Sequence, residues 1–362
     1  MPDATAPLSS ARTVLVTGFP VDAARRLIRE LVSDGDRVLM LARATFASEA
    51  ADFAARLASS MGDVAGGTVE VLEGDILELD LGLSGARVRQ LHAEVQEIHH
   101  LAAISYLGIR ASRMRAVNIE GLRELLELAL GMRSLQRLCL WSTAFVAGAR
   151  EGLVREDELM VGQRFRNPYE QTKAEAEVLA RAAMGKLPIT VVRPSIVVGD
   201  SQSGEVSRFD GPYQMISAIV RAAVDASVSL PGRGDYPLNV VPVDHAVKAA
   251  MFLTRHPEAV GGTFHLVDQN PLTARQFFEA VADAAERPRP STAWLPGSVT
   301  RALLSLPGLA ARSNERSFLE WFDTDVRFDD RRARALLDPG GLHCPPATSY
   351  VETLVRYVRE TA

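Results

Sequence analysis

Over the first 200 residues, short apolar runs alternate with longer stretches whose leucines recur three and four residues apart. That rhythm argues for βαβ units and a parallel sheet. The expected strands are Thr13–Thr17, Arg37–Leu41, Thr68–Leu72, Glu97–Leu101, Leu138–Trp141 and Ile189–Val192, with helices such as Ala23–Val32 and Asn118–Leu130 between them. The expected class is therefore α/β: a doubly wound parallel sheet with a smaller, mostly helical C-terminal lobe. After Arg193 the rhythm breaks, and Ser195–Tyr213 is rich in Gly, Ser and Asp before a helix-like Gln214–Val228. Asn239–Val243 and Gly262–Val267 read as strands returning to the sheet, with Asp244–Thr254 helical between them. From Pro271 onward the pattern is helical, punctuated by proline. The expected division is a sheet domain of residues 1–194 and 237–268, and a substrate lobe of residues 195–236 and 269–362.

Composition narrows the function classes. With 47% apolar residues and a net charge of −5 spread along 362 residues, the chain lacks both the signature of disorder and the footprint of a nucleic-acid binder. Cys139 and Cys344 sit in neither a CxxC pair nor a cluster at metal spacing, which points to a reducing compartment and no structural metal. Met1–Ser10 has no apolar h-region, and no run of 18 uncharged apolar residues occurs, so the expectation is a cytoplasmic chain without a transmembrane segment.

At the N-terminal end, Val14–Gly18 runs straight from a strand into a helix, the place where such a sheet sets a pyrophosphate on unpaired helix N–H groups. Matched against TGxxGxxG, the run that begins Thr17-Gly18-Phe19-Pro20 has Gly18 first, Val21 second and Ala24 third. A valine where a missing Cβ lets backbone approach phosphate, followed by Asp22, should weaken binding, and the same turn would also serve a protein that binds no nucleotide. Arg43 ends the second strand where an acidic residue would hold a ribose 2′-hydroxyl, so it points to NADP(H); as an ordinary solvated loop charge it would mean nothing. Asp75 and Ile76, after the third strand, suit an adenine site. Leu101, Ala102 and Ala103, after the fourth, offer small residues beside a cofactor.

At the other end, Tyr169 and Lys173 stand four residues apart behind Asn167-Pro168, which reads as N-cap and first helical residue. The spacing puts both on one helix face. A phenol there can protonate a developing alkoxide, and a nearby ammonium should lower the tyrosine pKa. The fifth strand ends in Trp141-Ser142-Thr143-Ala144, which brings hydroxyls to the sheet edge.

The runs VLVTGFP, Gly74–Ser84, Ile98–Tyr106, Ala116–Gly121, Trp141–Gly148, NPYEQTK and Val191–Tyr213 together resemble the extended short-chain dehydrogenase/reductase family over roughly residues 12–270. Within it they are most similar to the thioester-reductase and fatty acyl-CoA reductase, or male-sterility-type, branch. The resemblance implies a Rossmann sheet and a Thr143, Tyr169, Lys173 site, with Lys173 also holding the nicotinamide ribose. It further implies that Asn118 is structural near the site and that Arg193, Pro194 and Ser195 flank the nicotinamide.

The leading expectation is an NADP(H)-dependent oxidoreductase acting on a carbonyl or an acyl thioester, with a small-molecule or carrier-bound acyl substrate and room for a homodimer. An alcohol/ketone dehydrogenase or a nucleotide-sugar epimerase/dehydratase on the same scaffold is the second enzymatic reading. A Rossmann binding or regulatory module with a degenerate glycine loop is the third. Elsewhere, His99 and His100 should face opposite sides of a strand end and pack there. Asp244 should cap a helix, and His343–Pro346 should form a turn. Leu295–Leu309 reads as core, with an acyl channel or a membrane surface as its other uses.

Overall fold

The computed structural model describes residues 11–61, 66–106, 108–230, 234–291 and 324–361. Its centre is a sheet of seven parallel strands: β1 (Thr13–Thr17), β2 (Arg37–Ala42), β3 (Thr68–Glu73), β4 (Glu97–His100), β5 (Arg137–Trp141), β7 (Ile189–Pro194) and β10 (Thr263–Leu266). They lie in the order β10-β7-β5-β4-β1-β2-β3. The chain winds outward from β1 through β2 and β3, then returns to β4 on the other side, so the topological switch lies between β1 and β4. Ligands of doubly wound sheets bind outside that point, at the carboxyl ends of the strands.

Residue parity along the strands builds two cores. Val14, Val16, Met40, Cys139, Trp141, Val192 and Phe264 face α1 (Asp22–Ser33) and α8 (Val243–Arg255), whereas Leu15, Leu39, Ile98, Leu138, Leu140, Ile189 and Val191 face the opposite helices. Those are α3 (Gly85–Glu94), α5 (Gly121–Leu130) and α6 (Pro168–Ala183). Helix α2 (Ala47–Met61) completes the first layer through Ala50 and Phe53. The expected helix through Asn118 begins earlier: α4 (Ala111–Arg115) runs through a π turn, Ala116–Glu120, into α5.

A third core gathers α7 (Pro212–Arg221), α9 (Ala274–Ala285), α11 (Val351–Thr361) and a two-stranded sheet of β8 (Ile196–Val198) and β9 (Val240–Pro242). The remaining C-terminal elements pack elsewhere. Strand β11 (Val326–Phe328) pairs with β6 (Gly152–Val154), and α10 (Arg331–Leu337) sends Ala333 and Leu337 into the first core.

Several expectations need correction. The segment at Asn239–Val243 does form a strand, but β9 pairs with β8 and never reaches the central sheet; it is three residues long, and Pro242 has no N–H to extend a ladder. The helix expected to Val228 ends at Arg221: Ile216 and Ile219 are buried in the third core, but Val224 is exposed, so nothing holds another turn. Asp244 does not cap α8, whose N-cap is Pro242; its carboxylate instead accepts from the N–H of Ser201 at 2.8 Å and the hydroxyl of Ser201 at 2.7 Å. Leu295–Leu309 and Met1–Ser10 lie outside the described residues. Among the described residues, no helix is long and apolar enough to cross a membrane.

Candidate active site

The loops leaving β1 to β4 enclose an open cleft of about 510 Å³, a size suited to a cofactor. Gly18, Phe19, Pro20, Arg43, Asp75, Ile76, Ala102 and Ala103 line it, as does Val21. At Gly18, φ is +104° and an added Cβ would lie 2.7 Å from the Leu101 carbonyl carbon, so only glycine lets the turn pack on the end of β4. Thr17 and Leu101 are buried behind this surface. The Thr17 hydroxyl contacts His100 Nδ1 at 2.9 Å and accepts from the Ala102 N–H at 3.3 Å, which fixes the cleft floor.

Residues that sequence reasoning passed over also reach the cleft: Arg25, Phe46, Glu49, Arg113, Ser207 and Arg208. Arg25 lies in the first turns of α1, where its Nε donates to the Pro20 carbonyl at 2.9 Å, its guanidinium covers the Phe19 ring at 4.8 Å, and it pairs with Glu49. An arginine in the helix that leaves a nucleotide-type turn was the available signal. Arg43 lies over the Phe46 ring at 5.0 Å. The Asp22 carboxylate accepts from the Ser207 N–H at 3.0 Å, so its charge is engaged by the opposite loop.

The second group of residues forms where β5 meets α6. Asn167 caps α6, accepting from the Glu170 N–H at 3.0 Å, with Pro168 at the first helical position. The adjacent hydroxyls at the end of β5 diverge. Ser142 donates to Glu177 at 2.8 Å, whereas Thr143 stands beside the Tyr169 phenol, close enough to lower its pKa. Lys173 is buried one turn beyond Tyr169 and donates from Nζ to the Trp141 carbonyl at 2.6 Å. Burial pushes Lys173 down to about 8, with Glu177 opposing the fall. Burial also pushes Tyr169 up to about 12, against the influence of Thr143. The expected lowering of the tyrosine is thus absent here: desolvation outweighs the other influences, and the Lys173 ammonium is directed at Trp141.

Asn118 joins the two groups from the π turn, a distortion that frequently marks functional sites. Its Oδ1 accepts from the Ile104 N–H at 2.7 Å, while its Nδ2 donates to the Ile104 carbonyl at 3.1 Å and to the Thr172 hydroxyl at 3.0 Å. The cleft wall is thereby tied to the helix that carries Tyr169 and Lys173.

Arg193 does not join them. It is fully buried between β7 and α6, donating to Glu177 from Nε at 3.0 Å and Nη2 at 2.7 Å and to the Glu156 and Glu158 carbonyls. Pro194 closes β7. Ser195 is buried at the sheet's carboxyl edge, and its hydroxyl has no hydrogen-bond partner among the described residues. The histidines pack as a pair of separate buried contacts, His99 on Glu97 at 2.8 Å and His100 on Thr17. His100 is held neutral, its pKa lowered to about 3 by burial and by Lys173. An orphaned Ser195 hydroxyl, a cleft rimmed by Arg25, Arg43, Arg113 and Arg208, and the N-terminus of α1 together fit a dinucleotide with phosphate groups.

Comparison with known proteins agrees with this architecture. The family model described as male sterility protein, an NAD-binding family, matches residues 16–250. The glycine betaine reductase of Emericella nidulans is 29% identical over 222 residues, which are 58% of this chain and 16% of that protein. The terminal R domain of the myxalamid PKS-NRPS biosynthetic pathway superposes with a TM-score of 0.78 at 28% identity, covering 98% of this chain and 92% of that one. A thiolation-reductase di-domain from an archaeal non-ribosomal peptide synthetase shares the fold, with a TM-score of 0.73 at 17% identity over 97% of this chain and 76% of that one. The chain spans between 4% and 22% of the length of four curated relatives it matches.

Proposed function

Given that the chain belongs to the male sterility protein family of extended short-chain reductases, we propose that it is an NADP(H)-dependent reductase of acyl thioesters or of the carbonyls derived from them. The observation that carries the proposal is the contact between Thr143 and Tyr169 with Lys173 one helical turn away, at the carboxyl edge of the sheet and tied by Asn118 to the cleft. Arg43, which lines the same cleft as Arg25, would hold the 2′-phosphate, and the N-terminus of α1 the pyrophosphate. NADPH bound there supplies the hydride that the protein's own side chains lack.

Those side chains manage the oxygen and its proton. The Thr143 hydroxyl orients the substrate carbonyl and the Tyr169 phenol protonates its oxygen as charge develops. A phenol held up to about 12 stays protonated throughout the working pH range, as reduction requires of an acid. Lys173 supplies a buried positive charge that favours the phenolate left behind. The division of labour between Ser142 and Thr143 supports Thr143 as the substrate-facing hydroxyl, since Ser142 is engaged by Glu177. The third core, built by α7, α9 and α11 beside β8 and β9, is the part of the chain that would hold the substrate. Likeness to the terminal R domain of a PKS-NRPS pathway, together with a shared fold with a thiolation-reductase di-domain, favours a carrier-bound thioester over a free ketone.

The test is NADPH consumption against a panel of acyl-CoA and carrier-loaded acyl thioesters, aldehydes and ketones, with NADPH and NADH binding measured by calorimetry. Thioester- or aldehyde-dependent oxidation of NADPH supports the reading. Tight dinucleotide binding with no turnover on any carbonyl would instead leave a regulatory module.

A further inference from the structure

Tyr169, Lys173 and Glu177 follow one another along α6 at four-residue intervals, so they form a single stripe facing the end of β5. Glu177 belongs to none of the motifs in the sequence, yet it is fully buried and accepts from four donor atoms on three side chains. These are Ser142 Oγ at 2.8 Å, Arg193 Nε at 3.0 Å and Nη2 at 2.7 Å, and Arg181 Nε at 3.0 Å. A buried carboxylate demands partners, but the arrangement does more than satisfy one charge. It links β7, α6 and the end of β5 in the row Arg193, Glu177, Ser142, and the residue after Ser142 is the one that meets Tyr169.

We propose that Glu177 is a positioning residue that keeps the buried Lys173 ammonium charged and directed at the end of β5, beneath the Thr143–Tyr169 pair. The proposal rests on the reading of Tyr169 and Lys173 as the reductive site. The groups that face Lys173 are Glu177 and Tyr169 on its own helix, His100 at the end of β4 and the Trp141 carbonyl of β5. His100 is neutral, so it offers the ammonium no counter-charge. Glu177 in turn faces Arg181 on α6, Arg193 on β7 and His265 on β10, whose pKa burial and Arg193 lower to about 3. Glu177 is thus the one negative charge acting on Lys173 among these groups, and it opposes the desolvation that would discharge the amine. Removing it while Lys173 stays buried should leave the amine neutral in the range where the enzyme works.

The chain has three lysines, Lys173, Lys186 and Lys248, which makes the amine directly readable. Competitive acetylation followed by mass spectrometry gives the titration midpoint of Lys173 without turnover, with exposed Lys186 as internal reference. Glu177→Gln should lower that midpoint by about one to three pH units, the effect of losing a close counter-charge. Glu177→Asp should restore most of it, Ser142→Ala should leave it in place, and Lys186 should be unchanged throughout. The alkaline limb of kcat/KM should move with the Lys173 midpoint. A folded Glu177→Gln protein whose Lys173 midpoint does not fall overturns the proposal. Should Glu177→Gln fail to fold, the double variant Glu177→Gln with Arg193→Gln is read against Arg193→Gln alone, which isolates the carboxylate; a lower Lys173 midpoint in the double variant supports the proposal and an equal one overturns it. Tyr169→Phe separates the two readings: retained turnover removes the reductive site, whereas lost turnover with an unmoved Lys173 midpoint in Glu177→Gln removes only the role of Glu177.

Discussion

Replacing Arg193 by methionine should destabilise the protein severely while sparing its cofactor cleft. Both members of the Arg193–Glu177 pair are 0% exposed, and their bond is two-pronged. Methionine fills much of the volume but leaves Glu177 without its principal counter-charge and the Glu158 carbonyl without its 2.8 Å donor. Breaking a buried pair from one side costs about 3–5 kcal/mol because the surviving charge is stranded. With a urea m-value of about 3 kcal/mol/M, the midpoint should fall by about 1–2 M. Arg181, which also reaches Glu177, is partly exposed and offsets only part of the loss. A double variant, Arg193→Met with Glu177→Met, should recover much of the stability, since removing both charges removes the stranding. Urea unfolding followed by circular dichroism measures the cycle, and calorimetry with NADPH measures the cleft. A normal urea midpoint combined with lost NADPH binding in Arg193→Met would refute the reasoning and put the guanidinium back beside the cofactor.

Three further outcomes can be checked in the same preparations. Arg43→Ala should weaken NADPH by about 1–3 kcal/mol and leave NADH nearly unchanged, because only the 2′-phosphate needs the guanidinium; equal effects on both dinucleotides would count against it. Asp22→Asn should change NADPH affinity by less than about 0.5 kcal/mol, the usual range for such surface changes, because the carboxylate already serves Ser207; calorimetry showing tenfold tighter binding would restore an inward-pointing charge. The pH profile of kcat/KM should fall as pH rises through about 8, since Lys173 is charged below that value and neutral above it; a flat profile from pH 7 to 10 would remove the ammonium from the reaction.

The strands of the central sheet and their order of appearance were legible because a strand of a parallel sheet buries both faces and so reads as an unbroken apolar run, whereas the three-residue β6, β8 and β11 are too short to stand out. Helix α6 was legible from its start, where Asn167 and Pro168 carry cap chemistry that does not depend on the rest of the fold. Strand β9 was legible as a strand but not as to its sheet: three apolar residues look the same whichever partner they meet. The reach of Asp22 to Ser207 was invisible because it joins residues 185 positions apart, through an excursion whose path local pattern does not specify.

Arg193 is the more instructive case, because the parity of the strand already decided it. Along β7, Ile189 and Val191 face the α6 layer and Val192 faces the opposite one, so an arginine two residues after Val191 must point at α6. The same parity on β5, where Leu138 and Leu140 face α6, sends Ser142 to that side too. A buried arginine there needs a carboxylate, and Glu177, two turns beyond Tyr169 on the same helix face, is the residue that geometry supplies. A motif at a strand end therefore identifies where the chain passes the cofactor, but alternation along the strand decides which of its side chains are available to it. In the segment Arg193-Pro194-Ser195, alternation thus commits Arg193 to Glu177 behind α6's buried stripe, and leaves Ser195, whose hydroxyl has no partner among the described residues, as the residue that could still serve a ligand.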